Sequence, residues 1–315
     1  AKKPSTFLAE VGVINELPKA KPSGVVPQLD LEPGESLALP RGRREYYRMP
    51  EKFSYSQLKT YEACPWKYRF AFLLRVPVRG RAVFSFGQTI HTVLQRVYQL
   101  VMSRQGVRQG NLFAVPTDGG ARRPLGEIVR FAEVEQLYRD LWIDDWYAEP
   151  AERERFFAHG LELLRDYYAF VREQVAEPRF LEQGFTMKLE DEGSGKRHTV
   201  YGKIDRVDEA EGKLAIIDYK TGEPKRQLQA DDKEQLLLYQ LAAAEVFGQP
   251  VSSLTFHYLE GNLRQTFLGN EKDLARLKSK IMTAIAEIER GEFIATPGKI
   301  CASCEYRDIC EYRAL

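Results

Sequence analysis

The chain has 315 residues, 43% of them apolar and 29% charged, enough for one large domain or two small ones with a real core. Its 46 basic residues almost cancel its 45 acidic ones, so the net charge of +1 excludes a uniformly basic nucleic-acid binder and confines any basic surface to a local patch. No apolar run approaches the ~20 residues of a transmembrane helix, and the N-terminal AKKPSTFLAE lacks an apolar signal core, so a cytoplasmic protein without a membrane partner is expected.

Residues 1–50 are rich in Pro, Gly, Lys and Arg and lack sustained periodicity, which reads as a linker or extended arm. The chain does not begin with Met, and an excised domain of a longer protein is expected. A helix is predicted to begin near Ser54, where Ser54 and Gln57 form the capping-box pattern S-x-x-Q, and to be interrupted at Cys64-Pro65. Residues 86–102 form a strongly amphipathic helix with Ile90, Val93, Leu94, Val97 and Val101 on one face. Residues 104–125 read as a loop. Residues 127–176 read as helical, with Trp142, Trp146, Phe156, Leu163, Leu164 and Tyr167 as core candidates, so a helical insertion is expected over about 104–178. The pattern then turns to strands in GFTMKLE, TVYGKIDRV and KLAIIDYKTG. A helix over 231–247, a hairpin over 253–268 and a helix over 271–290 follow, ahead of a Cys-rich tail at 298–312. This order predicts a mixed α/β domain over 51–315.

The segment YGKIDRVDEAEGKLAIIDYKTG, residues 201–222, carries the chemistry. A two-residue turn at Glu211-Gly212 places Asp205 opposite Asp218, and directly opposed carboxylates destabilise a sheet unless a cation lies between them. Lys220, two residues beyond Asp218, points to the same face. Two carboxylates and an ammonium on one face suit phosphodiester hydrolysis with Mg²⁺ or Mn²⁺, which prefer oxygen ligands and activate a bound water. The competing reading is a hairpin with exposed charges. Against it, Asp218 ends the apolar run Leu214-Ala215-Ile216-Ile217, where a buried carboxylate needs a partner. The GSGK at 193–196 is not a phosphate loop, since Glu190 and Arg197 stand where Gly and Ser/Thr are required.

GKIDRVD followed by a strand ending IDYKTG resembles motifs of the RecB-like branch of the PD-(D/E)XK nuclease superfamily. Gln235 and Tyr239 in QLLLY resemble that family's Q-x-x-x-Y motif, and their spacing of four puts them on one helix face. The resemblance implies a restriction-endonuclease-like core, a mixed central sheet flanked by helices. It implies metal ligation by His91 in FGQTIHTVL, by Asp205 and Asp218, and by the backbone carbonyl of Tyr219. Lys220 would assist the attacking water, and Gln235 and Tyr239 would contact the DNA. Glu182, before the first strand, is a weaker candidate for an additional acid.

The four cysteines are Cys64, Cys301, Cys304 and Cys310. Their clustering in a reducing compartment favours a metal over two disulfides. The lone-plus-three arrangement, within YSQLKTYEACPWKYRF and PGKICASCEYRDIC, resembles the 4Fe–4S staple of AddB-like nucleases. Zn²⁺ in the same four ligands is the alternative. After Cys64, the basic Lys67, Arg69 and Arg75 alternate with aromatic residues, which suits either a single-stranded DNA track or a solvated helix face. Pro4-Ser5-Thr6-Phe7-Leu8 resembles the segment that follows the last motor motif of UvrD-like helicases, which implies a helicase partner. The expectation is a single-strand DNA exonuclease of DNA end processing and recombinational repair. The alternatives are a non-catalytic DNA-end-binding module and a zinc-stabilised scaffold.

Overall fold

Ser54 does cap the first helix: its hydroxyl accepts from the Gln57 amide while the Gln57 side chain accepts from the Ser54 amide. The structure is a computed structural model that describes residues 49–106, 122–191, 193 and 195–314. The arm at 1–48, with its helicase-like segment, most of the loop at 104–125, and Ser194 of GSGK lie outside the described residues. Strand β1 (Lys52–Ser54) enters helix α1 (Tyr55–Ala63), which ends at Cys64. Pro65 opens a new short helix, α2 (Pro65–Tyr68), continued by a wider turn over Arg69–Leu73. Helix α3 (Ala82–Arg104) is longer than its sequence pattern indicates. Three further helices follow, α4 (Leu125–Ile128), α5 (Phe131–Asp140) and α6 (Pro150–Val171).

The strands are β2 (Pro178–Glu190), β3 (Arg197–Ala210), β4 (Lys213–Lys220), β5 (Val251–Tyr258) and β6 (Leu263–Phe267), with α7 (Ala230–Phe247) crossing from β4 to β5 and α8 (Glu271–Arg290) after β6. The sheet runs β1-β3-β4-β5-β6, with β2 also paired to β3. β1 lies parallel to β3 and β4 parallel to β5, while the other pairs are antiparallel, giving a mixed sheet. Glu211 and Gly212, at φ 52° and 70°, form the tight turn that matches strand twist, and the β3–β4 register is the one inferred from sequence, from Ala210–Lys213 to Arg206–Ile217.

Two apolar cores sandwich the sheet. One packs α1, α7 and α8 against residues such as Val200, Ile216 and Leu254. The other packs α3 to α6 against the opposite face, around Tyr219 and Leu181. The expected core residues Leu163, Leu164 and Tyr167 are buried there, and Trp142 and Phe156 pack at its edge. Trp146 is a correction: it is 50% exposed, in a left-handed backbone conformation, with its indole laid so closely on Gly80 that a Cβ there would be 1.8 Å from the ring. Strand β1 was not foreseen, because three residues carry no periodicity. Among the described residues no helix is long and apolar enough to cross a membrane.

Candidate active site

Strand β4 alternates cleanly. Leu214 and Ile216 face the α7/α8 core and Tyr219 faces the α3–α6 core, so Asp218 and Lys220 fall on the α7 side. The ladder with β3 ends at Arg206–Ile217. Beyond it the strands splay, and the next amide, Tyr219 N–H, donates to the Asp205 carboxylate (2.9 Å) rather than to a backbone carbonyl. β2 and β3 are creased at the same level. Phe180 and Phe185, five residues apart, lie in one core, as do Ile204 and Val207, three apart, whereas regular strands would send each pair to opposite faces. At this crease Glu182 holds φ 49°, a left-handed conformation that a non-glycine residue adopts at a cost of ~1–3 kcal/mol.

The crease and the splay together let groups from both layers meet. His91 of α3 approaches Asp205 Oδ2 at 3.3 Å and Glu182 Oε1 at 3.8 Å. Donor atoms of His91, Glu182 and Asp205 all lie within 4.8 Å of one another, a spacing that could hold one cation. From the α7 side, the Gln235 amide donates to Asp218 Oδ1 (2.9 Å) and to the Tyr239 hydroxyl (2.8 Å), and its carbonyl accepts from Lys220 Nζ (2.9 Å). Lys220 Nζ also pairs with Asp218 Oδ2 at 2.6 Å, an ion pair without hydrogen-bond geometry, so that buried oxygen has no hydrogen-bond partner.

The electrostatics follow from crowding three carboxylates into a half-dry crease. Burial, and then the Asp205 charge, push the Asp218 carboxyl up to about 6 against the pull of Lys220 and His91. On His91 burial opposes the proton, but hydrogen bonds to Asp205 and Glu182 outweigh it and push the imidazole up to about 10. The site thus draws positive charge to itself, and Lys203 pairs with Glu182 from the rim. Oxygen donors and one imidazole gathered within 4.8 Å fit a hard divalent cation. The other close acidic group, Glu62, Asp231 and Glu234, is already occupied by Lys280, whose Nζ sits 2.5 Å from Glu62 and 2.7 Å from Glu234.

The structure brings together His91, Asp205, Asp218, Tyr219, Lys220 and Gln235, and adds Glu182 as a full member. The signal for Glu182 is its place opposite Asp205 across β2–β3, visible only once that register is known. Tyr239 is buried, so it touches Gln235 and not solvent. Lys67, Arg69 and Arg75 lie elsewhere. Lys67 pairs with Glu305 of the tail at 2.6 Å, the Arg69 guanidinium sits 4.2 Å over Trp66, and Arg75 is exposed.

The four cysteines line one small pocket together with Trp66, Phe70 and Ile300. Burial raises the Cys64 thiol, but hydrogen bonds from the backbone of Thr296, Lys67 and Trp66 bring it below its ordinary value. The Tyr61 hydroxyl to Glu292 O (2.7 Å) and the Thr296 hydroxyl to Ala63 O (3.0 Å) join α1 to the tail directly.

The fold and this constellation define a nuclease class, and the sequence comparison agrees. Residues 52–311 match the model of the PD-(D/E)XK nuclease superfamily, and the chain belongs to it. Members of that superfamily use divalent metals such as Mg²⁺. The chain is 28% identical over 289 residues to a component of the ATP-dependent helicase/deoxyribonuclease of Carboxydothermus hydrogenoformans, an alignment that covers 80% of this chain and 24% of that one. The chain therefore spans about a quarter of that relative's length. A solved structure titled "Crystal structure of SSO0001" aligns over 85% of this chain and 89% of its own, at 14% identity and a TM-score of 0.37.

Proposed function

We propose that this domain hydrolyses DNA phosphodiester bonds with Mg²⁺ or Mn²⁺, acting as a single-strand exonuclease beside a helicase motor in DNA end processing and recombinational repair. The observation that carries the reading is the meeting of His91, Glu182, Asp205 and Asp218 at the β3–β4 splay, with Lys220 held over it by Gln235. His91, Asp205, Asp218 and the Tyr219 carbonyl would hold the cation, with Glu182 beside them. The cation would lower the pKa of a bound water and neutralise charge on the phosphate. Lys220 brings an ammonium within reach of the same space, to orient that water or to meet the developing oxyanion charge. Gln235 uses its carbonyl on Lys220 and its amide on Asp218, so the acid and the ammonium keep a fixed spacing. The single-strand preference and the helicase partner rest on the family resemblance and on the relative's name.

The four cysteines would hold a 4Fe–4S cluster with a structural role, tying α1 to the tail. Zn²⁺ in the same four ligands is the alternative. N–H···S bonds to Cys64 and Cys301 suit cluster thiolates.

The test is cleavage of end-labelled single-stranded DNA by anaerobically purified protein with Mg²⁺, Mn²⁺ or EDTA, beside Asp218→Ala. Metal-dependent cleavage that is lost in the variant is expected. A folded wild-type protein that binds DNA and cleaves nothing with either metal would overturn the catalytic reading.

A further inference from the structure

Behind the sheet, on the face turned away from Gln235, lies a buried polar cluster that the reaction does not use. Arg206 is 6% exposed. Its guanidinium donates to Asp208 through Nε (2.6 Å) and Nη2 (2.5 Å), donates to the Tyr219 hydroxyl through Nη1 (3.2 Å), and lies 3.8 Å over the Tyr98 ring. The Tyr219 hydroxyl continues to Tyr167 (3.2 Å), and Tyr167 to the Tyr98 hydroxyl (2.6 Å). Four side chains from α3, α6, β3 and β4 thus close into one hydrogen-bonded and stacked unit within the α3–α6 core, where buried His257 packs against the Tyr167 and Tyr219 rings.

The membership of this unit is not arbitrary. Arg206 directly follows Asp205, and Tyr219 directly follows Asp218. Tyr98 lies seven residues beyond His91 on α3, two helical turns further along nearly the same face. Three of the four main-chain segments that carry candidate metal ligands, α3, β3 and β4, therefore send an anchor to the same place; β2, which carries Glu182, does not. The need for an anchor is visible in the backbone. The β3–β4 ladder stops at Arg206–Ile217, and past it the main-chain hydrogen bonds no longer set the distance between Asp205 and Asp218. There Arg206, Tyr219 and the Tyr219 amide on Asp205 take over. A guanidinium only donates, and its planar fork fixes direction as well as distance.

We infer that Arg206, with Tyr98, Tyr167 and Tyr219, is a positioning network that sets the spacing of His91, Asp205 and the Tyr219 main chain for the cation. The inference rests on the proposed metal site, although its effect on the Tyr219 main chain is independent of any metal. Groups that hold metal ligands in place without touching the metal are worth about 10–100-fold in metal affinity.

The test uses the full chain with Tyr98→Phe, Tyr167→Phe and Arg206→Lys, each conservative in volume or charge. Arg206→Lys keeps the charge but cannot span Asp208 and Tyr219 together. Ile128→Val, in the same core but outside the network, serves as a control of comparable destabilisation. Two readouts are taken: Mn²⁺ affinity by calorimetry, and hydrogen exchange of the Tyr219 amide. The expected result is Mn²⁺ binding weakened about tenfold or more in the network variants and faster exchange at Tyr219, with Ile128→Val at wild-type values in both. Network variants that match Ile128→Val in both readouts overturn the inference, because the cluster is then only core. Wild-type protein that fails to bind Mn²⁺ while Tyr219 exchange still rises in the variants overturns the metal site and leaves the positioning of the strand supported.

Discussion

Gln235→Leu isolates what the glutamine of α7 does. The side-chain volume is nearly kept, but three hydrogen bonds go: to Asp218 Oδ1 (2.9 Å), from Lys220 Nζ (2.9 Å) and to the Tyr239 hydroxyl (2.8 Å). Bonds to charged partners are worth about 1.5–3 kcal/mol each. The Lys220 bond is discounted, since that side chain is 33% exposed and turns to water. The Asp218 side chain is 3% exposed and has no such recourse. About 2–3 kcal/mol of positioning is therefore lost, which at 1.36 kcal/mol per decade is roughly a 30–150-fold fall in kcat. DNA affinity should hold, because Tyr239 is buried and the surface changes little. The assay is steady-state cleavage of a labelled single strand at saturating Mn²⁺, with DNA affinity measured by anisotropy in EDTA. A kcat within threefold of wild type, or an intact kcat with lost affinity, would refute the reasoning and make Gln235 a DNA contact instead.

At Glu182, with φ 49°, glycine should give a fold about 1 kcal/mol more stable than alanine in denaturant titration, while both variants weaken Mn²⁺ binding. For His257, burial and then Arg264 push the imidazole down to about 4. The unfolded chain takes up the proton first, so stability is full above about pH 6.5 and falls by up to ~3 kcal/mol as the pH drops to about 4. His257→Gln should flatten that part of the pH–stability curve, and an unchanged slope would refute the assignment. Cys304→Ser should lower iron content and thermal stability together in anaerobic preparations, and stoichiometric zinc in the wild type would reverse the cluster reading.

The β3–β4 hairpin was legible because Glu211-Gly212 is a turn with one register; one step further that register would pair Asp205 with Asp218, but the ladder stops at Arg206–Ile217 and the strands splay there. Helix α8 was legible to the residue, between its Asn270 cap and the left-handed Gly291. The crease at Glu182 was not, since period-two reading assumes regular strands and the bend arises where two strands and a splayed third meet. Without the crease Glu182 belongs to no motif. In the basic run after Cys64 the sequence could not show which charges are shared: Lys67 pairs with Glu305, more than two hundred residues later, while Arg75 is exposed. Arg206 stood inside the recognised motif, but only the back of the sheet reveals what it anchors.

The sandwich has a thermodynamic corollary for safety. His91 comes from the helical layer on one side of the sheet, and Gln235 and the face of Asp218 and Lys220 belong to the other. The constellation exists only while both layers are docked. Opening either layer alone, at a free energy below that of global unfolding, dissolves the site before the rest of the molecule melts. On the proposed reading, partial unfolding of either layer takes the cleavage site apart first.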